Sequence, residues 1–119
     1  MRVTVFEKNA PKLTFRFKKK LPGGGTTPYL LDGSPTIEMY IKDSPDDDDS
    51  NPSVVKYDST DEISITDTGA DPTDKYSEIT VQTASADHAT PRTRYFRVDV
   101  IKATLRETVA DGFYEIKNI

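Results

Sequence analysis

Four adjacent carboxylates, Asp46, Asp47, Asp48 and Asp49, form the densest run of potential ligands in the chain. Carboxylates at alternate positions can converge on a hard cation, and Asp47, Asp49 and Asn51 have the D-x-D-x-N spacing that opens a calcium loop. Such a loop then needs glycine at its sixth position and a bidentate glutamate at its twelfth. Those positions hold Pro52 and Asp58, so the match fails where the geometry is strictest. Charge repulsion and two prolines predict an exposed, solvated loop over residues 43–52, with no metal ion or other cofactor.

His88 is the only histidine and there is no cysteine, which excludes a zinc site built from His and Cys ligands. As a general base His88 would need an activated nucleophile beside it. No G-x-S-x-G elbow is present, and its surroundings, ASADHATP, are small and polar. His88 therefore reads as a surface residue, and the chain as non-enzymatic. Gly23, Gly24 and Gly25 follow Lys18, Lys19 and Lys20, but the G-x-x-x-x-G-K-[ST] order of a phosphate cradle is missing. Phe15 and Phe17 alternate with Arg16 and Lys18, which puts rings and cations on opposite faces of a strand. That arrangement cannot stack bases against a charged groove, and the chain as a whole is acidic, so no nucleic acid is expected. Twenty acidic residues offer many carboxylate pairs, and no spacing distinguishes one of them.

The charge is unevenly spread. Residues 1–20 carry seven cations against Glu7, while residues 43–74 carry eleven carboxylates against Lys56, within a net charge of −4. A chain polarised in this way suits contact with neighbours that present opposite patches, copies of itself included. No apolar run approaches the ~20 residues needed to cross a bilayer. The start, MRVTVFEKN, lacks the apolar region of a signal peptide, so the expected place of synthesis is the cytoplasm, with no membrane partner.

At 119 residues, with 34% apolar and 30% charged, the chain fits one domain with a thin core between two sheets. Period-two alternation marks the strands. Residues 2–7 (RVTVFE) read as an edge strand, and residues 12–18 put Leu13, Phe15 and Phe17 on one face. Residues 36–42 put Ile37, Met39 and Ile41 inward and Glu38, Tyr40 and Lys42 outward. Short strands follow at 53–57 and 62–66, then another at 76–83. Residues 21–28 (LPGGGTTP) read as a flexible connection whose prolines forbid ladder pairing. Residues 84–88 allow a single helical turn. Residues 91–119 read as a long hairpin turning near Lys102 and Ala103. In it Phe96, Val98 and Val100 face inward, Leu105, Val109, Phe113 and Ile116 supply the return, and a bulge or kink falls at Asp111 and Gly112. Tyr95, near the start of this hairpin, is placed to act as a tyrosine corner that ties its hydroxyl to the backbone. The count is about seven to eight antiparallel strands without a disulfide, the pattern of an immunoglobulin-like β-sandwich over residues 1–119.

Three stretches carry a family resemblance: VFEKNAPKLTFRFK, YLLDGSPTIEMYIKD and ADHATPRTRYFRVDVIKATLRETVADGFYEIK. Together they resemble the strand-and-turn grammar of small Ig-like virion proteins of tailed bacteriophages, including the N-terminal domain of phage baseplate upper proteins. The resemblance implies a structural component of a phage or prophage particle, present in many copies and located in the virion. Its partners would be other virion proteins, either the major capsid protein or tail and baseplate proteins. It implies a capsid decoration or cement protein, with a tail, neck or baseplate adaptor as the alternative. On this reading Arg16, Lys18, Lys19 and Lys20, with Asp46, Asp47, Asp48 and Asp49, are the partner-contacting charges. Strand edges at residues 2–7 and at the terminal strand to residue 119 would pair with neighbours. The rival from another class is a carbohydrate-binding sandwich, which would use Tyr40, Tyr57 and Tyr114 as an outward aromatic platform.

Overall fold

The computed structural model describes residues 1–118; Ile119, the expected end of the terminal strand, lies outside the described residues. Over the described residues the chain is all-β, with nine strands in two sheets, and the sequence has no cysteine. The strands are β1 (Arg2–Phe6), β2 (Lys12–Lys20), β3 (Thr26–Pro28), β4 (Thr36–Lys42), β5 (Val55–Asp58), β6 (Ile63–Asp67), β7 (Ser77–Gln82), β8 (Arg92–Lys102) and β9 (Leu105–Lys117). The helical turn allowed at 84–88 is present as a 3-10 turn, Ser85–His88. One sheet has the order β1-β9-β8-β4-β5 and the other β3-β2-β7-β6.

The alternating apolar residues of both sheets meet in one core. Phe15 and Phe17 of β2 and Ile79 and Val81 of β7 face Ile37, Met39 and Ile41 of β4 and Phe96, Val98 and Val100 of β8. The rings of Phe15 and Phe96 pack across the layers with centroids 5.8 Å apart, a contact worth about 1 kcal/mol beyond its area.

Four expectations are corrected. The strands are not all antiparallel, because β1 runs parallel to β9 with Arg2 opposite Phe113 and Phe6 opposite Lys117. β2 lies in the other sheet, so β1 cannot form a hairpin with it; the chain crosses over through Lys8, at φ 63°. Secondly, residues 21–28 are not without ladder pairing. Thr26–Pro28 pairs antiparallel with Lys18–Lys20 as an edge strand, and Pro28 is tolerated at its end because an edge needs no donor on its open side.

Thirdly, the bulge falls at Val109 rather than at Asp111 and Gly112: Val98 pairs with Ala110, Asp99 pairs with Thr108, and Val109 is left over. The extra residue moves the inward set of β9 from odd to even positions. Tyr114 and Ile116 are therefore buried and Phe113, expected among the apolar positions of the return, is 43% exposed, while Leu105, ahead of the bulge, keeps the inward phase but is 76% exposed beside the β8–β9 turn. Fourthly, Tyr95 is no tyrosine corner. Its ring lies half-buried on the outer face, 5.2 Å from that of Phe113.

Gly112 does something other than bend the strand. At φ +153° it lets the Met1 backbone pass so closely that an added Cβ would stand 1.9 Å from the Met1 carbonyl oxygen. That oxygen accepts from the Phe113 N–H at 3.1 Å and starts the β1–β9 pairing. Gly112→Ala should therefore destabilise the protein by about 1 kcal/mol or more in urea unfolding. Gly23→Ala, whose Cβ would meet nothing within 4 Å, should be nearly neutral.

Candidate functional site

The alternation of β8 puts Asp99, and the hairpin register puts Arg106 and Thr108 of β9, on the outer face of the five-stranded sheet, beside Glu38, Tyr40 and Lys42 of β4. These β4 side chains point outward as the alternation requires, yet all three are buried. They are covered by one another. Asp99, fully buried, accepts from Arg97 Nε at 3.0 Å, Arg106 Nη1 at 2.8 Å and Thr108 Oγ1 at 2.8 Å. Arg106 reaches on to Glu38 at 2.9 Å, and Glu38 also accepts from Lys56 at 3.0 Å and the Tyr40 hydroxyl at 2.9 Å. The guanidinium of Arg97 lies 4.9 Å from the Tyr40 ring centre. Burial by itself would raise the Glu38 carboxyl, but hydrogen bonds from Lys56, Tyr40 and Arg106 outweigh it and hold it below the usual carboxylate range. Two carboxylates directly opposite one another, Glu38 and Asp99, would repel; Arg106 between them turns the pair into a bridge.

The acidic run joins this network and is not a freely solvated loop. Asp49 bridges Lys42 at 2.6 Å and Arg97 at 2.8 Å, which hold its carboxyl low, with Arg97 the larger cause. Asp47 accepts the Ser44 N–H at 3.2 Å, and its carbonyl accepts from Lys42 at 2.6 Å. Asp48 closes a turn on Ser50 and points to solvent. The Asp46 carboxylate is exposed and accepts no hydrogen bond among the described residues. The basic strip also divides. Arg16 is paired with Glu78 at 2.9 Å and lies over the Tyr76 ring. Lys18, Lys19 and Lys20 are exposed and form no ion pair among the described residues. The structure does not bring the two charged groups of residues together: the Asp run lies by the Lys42 end of β4, while Lys18–Lys20 lies by the opposite end of the core, beside the β8–β9 turn.

His88 is buried, not a surface residue. Its Nδ1 lies 2.6 Å from the Asn9 carbonyl oxygen and its Nε2 2.6 Å from the Tyr114 hydroxyl. A carbonyl only accepts, so Nδ1 carries a proton, and in the neutral imidazole Nε2 then accepts from the Tyr114 hydroxyl. The hydroxyl of Tyr57 donates to Asp87 at 2.7 Å and accepts from the Ala84 N–H at 3.2 Å. Tyr57 and Tyr114 thus anchor the crossover from β7 to β8, the task expected of Tyr95. With Tyr40 under the ion network, none of the three tyrosines forms an outward platform. Arg94, also buried, is held by Asp43 at 3.0 Å and the Ser53 carbonyl at 2.7 Å. Asp58, Asp61 and Glu62 bring carboxylate oxygens within 4.8 Å, but Asp58 and Glu62 already cap the turn through Thr60 and the Asp58 N–H. Glu38, Asp49, Asp99, His88, Tyr57 and Arg94 are thus engaged within the protein.

Among the described residues the outer edges of β1, β3, β5 and β6 are open, and so is half of β9. β1 covers β9 only over Phe113–Lys117, so residues 105–111 have β8 on one side and no second strand among the described residues. Beside this open half lies a cleft of about 450 Å³ at the end of the core, lined by Lys19, Tyr29, Leu30, Val100, Lys102 and Leu105 among others. Its floor is fixed by Lys102, which donates to the Leu30 carbonyl at 2.7 Å and lies 5.2 Å from the Tyr29 ring centre. Sequence reasoning missed both the network and the cleft. The signal for the first was present in the opposite charges at alternate positions, Glu38 with Lys42 and Arg97 with Asp99; the cleft depends on which strands become neighbours and left no signal. No protein-family model matches the chain, and no curated protein is recognisably similar to it in sequence.

Removing the buried charge should be costly: Asp99→Asn leaves Arg97 and Arg106 without their shared carboxylate and should lose about 3 kcal/mol in urea unfolding. Asp46→Asn should change stability by less than about 0.5 kcal/mol. Burial, aided by Asp87, raises the phenol pKa of both Tyr57 and Tyr114. The unfolded chain therefore loses these protons first, and the stabilisation present at neutral pH is lost as pH rises past ~10. Urea midpoints taken on the alkaline side should fall with pH in the wild type and fall less steeply in Tyr57→Phe.

Proposed function

We propose that this protein is a non-enzymatic structural component of a tailed-phage or prophage particle, docking onto larger virion proteins through strand edges and charged loops. The observation that carries the docking part is the terminal strand left half open beside an apolar, lysine-flanked cleft. An open strand edge is an adhesive surface, because its free N–H and C=O groups take a partner's backbone without further rearrangement. The virion part rests on the resemblance of residues 5–18, 29–43 and 86–117 to Ig-like phage structural proteins.

The strand order supports the Ig-like reading. An immunoglobulin variable-type domain has strands G-F-C-C′ in one sheet and B-E-D in the other. Here β9-β8-β4-β5 and β2-β7-β6 occupy those places, in the same chain order, with β1 added beside β9 and β3 beside β2. A rigid sandwich of this kind contributes many weak, identical contacts, which add through multivalency when copies are arrayed on a symmetric particle. A capsid decoration or cement protein is the assignment we favour over a neck, tail or baseplate adaptor.

The test is quantitative mass spectrometry of purified particles from cells that carry the gene, scaled to a protein of known copy number. Hundreds of copies are expected for a decoration protein. A small ring-sized number would move it to the neck, tail or baseplate. Absence from the particle would overturn the virion reading.

A further inference from the structure

We propose that this chain binds copies of itself head to tail, the unpaired carboxylates at the Lys42 end of one copy meeting the unpaired lysines at the opposite end of the next. The inference stands on the layout of charge in the fold and does not rest on the virion reading.

One end of the molecule carries surplus negative charge. There Lys42, Arg92, Arg94 and Arg97 pair with Asp43, Asp49 and Asp99. Three exposed carboxylates of the same end, Asp46, Asp48 and Asp111, form no ion pair among the described residues. Asp111 stands opposite Arg97 across the β8–β9 ladder, yet Arg97 is taken by Asp49 at 2.8 Å and Asp99 at 3.0 Å. The phase of β9 after Val109 turns Asp111 to the outer face of the five-stranded sheet, where it lines one groove with Pro45 of the acidic loop.

The other end carries surplus positive charge on the opposite side of the sandwich. Lys18 and Lys20 are exposed and alternate with buried Phe15 and Phe17, so they point out from the four-stranded sheet. Arg16, on the same face, is matched by Glu78. Across the β2–β3 ladder Lys18 meets Pro28 and Lys20 meets Thr26, neither of which offers a charge.

Within one molecule the two groups cannot neutralise each other. β4 runs from the lysine end to the acidic end and spans about 20 Å, more than twice the ~8 Å over which exposed charges interact at physiological salt. The groups also face opposite ways, one out from each sheet. A two-fold pair joins the same face of both copies, so it would set lysines against lysines or carboxylates against carboxylates. A heterologous contact matches opposite charges instead. It leaves one acidic and one basic end open for further copies, and so grows into a file or closes into a ring. Each contact consists of exposed ion pairs and is weak and salt-sensitive by itself.

Sedimentation equilibrium of the full chain tests this. At about 0.02 M salt the weight-average mass should rise with protein concentration past that of a pair, and at about 0.5 M it should fall back to that of one chain. Lys18→Glu with Lys20→Glu makes both ends acidic, and Asp46→Lys with Asp111→Lys makes both ends basic. Each variant alone should associate at least about tenfold more weakly than the wild type. Mixed one to one, they should associate more tightly than either alone, because acidic and basic ends then alternate between copies. All four side chains are exposed, so the circular dichroism spectra should not change. Lys18→Gln with Lys20→Gln removes charge without reversing it; this variant should also lose association, and it carries the test if a reversal disturbs folding. A wild-type mass that stays at one chain at low salt, or growth that stops at a pair, would overturn the proposal. So would a reversed variant that associates as the wild type does, or a mixture no tighter than its components. Absence of the protein from phage particles would leave this result standing, so the two readings fail separately.

Discussion

One extra residue in the last strand sets the phase of the molecule. Up to Thr108 the odd positions of β9 face inward; after Val109 the even ones do. The shift sends Tyr114 and Ile116 into the core, where Tyr114 meets His88, and it leaves Phe113 outside against Tyr95. It also sets Gly112 where the Met1 carbonyl must pass, while Arg106 and Thr108, ahead of it, keep the hairpin register in alignment with Asp99. Without the bulge an unbroken pleat would place Phe113 inward and Tyr114 outward, and the crossover from β7 to β8 would lose the phenol that satisfies its buried histidine. β-bulges add twist as well as phase. A strand of thirteen residues that must serve both β8 and β1 has reason to carry one.

The outer face of the five-stranded sheet follows from that alignment. A sheet face turned to water would ordinarily carry separate, hydrated charges of little energetic consequence. Here the carboxylates of Glu38, Asp49 and Asp99 and the cations of Lys42, Lys56, Arg97 and Arg106 form one connected system, roofed in part by the 43–52 loop. Buried ion pairs are a weak source of net stability, because desolvation offsets most of the attraction. Their effect is on uniqueness: each charge is tolerated only with its particular partners in place, so register and loop position become linked. The acidic loop is thereby a structural element as well as a charged surface.

Outside the network the described residues leave several strand edges open, those of β1, β3, β5 and β6 and half of β9. The ion network is closed on itself, and the buried aromatic hydroxyls and imidazole are occupied by one another and by backbone. The half-covered strand and its cleft lie at the far end of the core from the loop, where Lys18, Lys19 and Lys20 form no ion pair among the described residues.

Much of the architecture was determined locally. Alternation of Leu13, Phe15 and Phe17, of Ile37, Met39 and Ile41, and of Phe96, Val98 and Val100 is a property of successive residues, and it set both the strands and their inward faces before any contact formed. The failed calcium spacing was equally visible in the chain. Tertiary structure decided whatever depends on which strand lies beside which. Whether outward Glu38, Tyr40 and Lys42 are wet or buried depends on cations arriving from β5, β8 and β9. Whether His88 is exposed depends on Asn9 and Tyr114, 79 and 26 residues away along the chain. A bulge is a mismatch between two strands and cannot be located from one of them, which is why Val109 escaped notice while Gly112 attracted it. Period-two patterning is local information, and partner choice, register and burial of polar side chains are long-range.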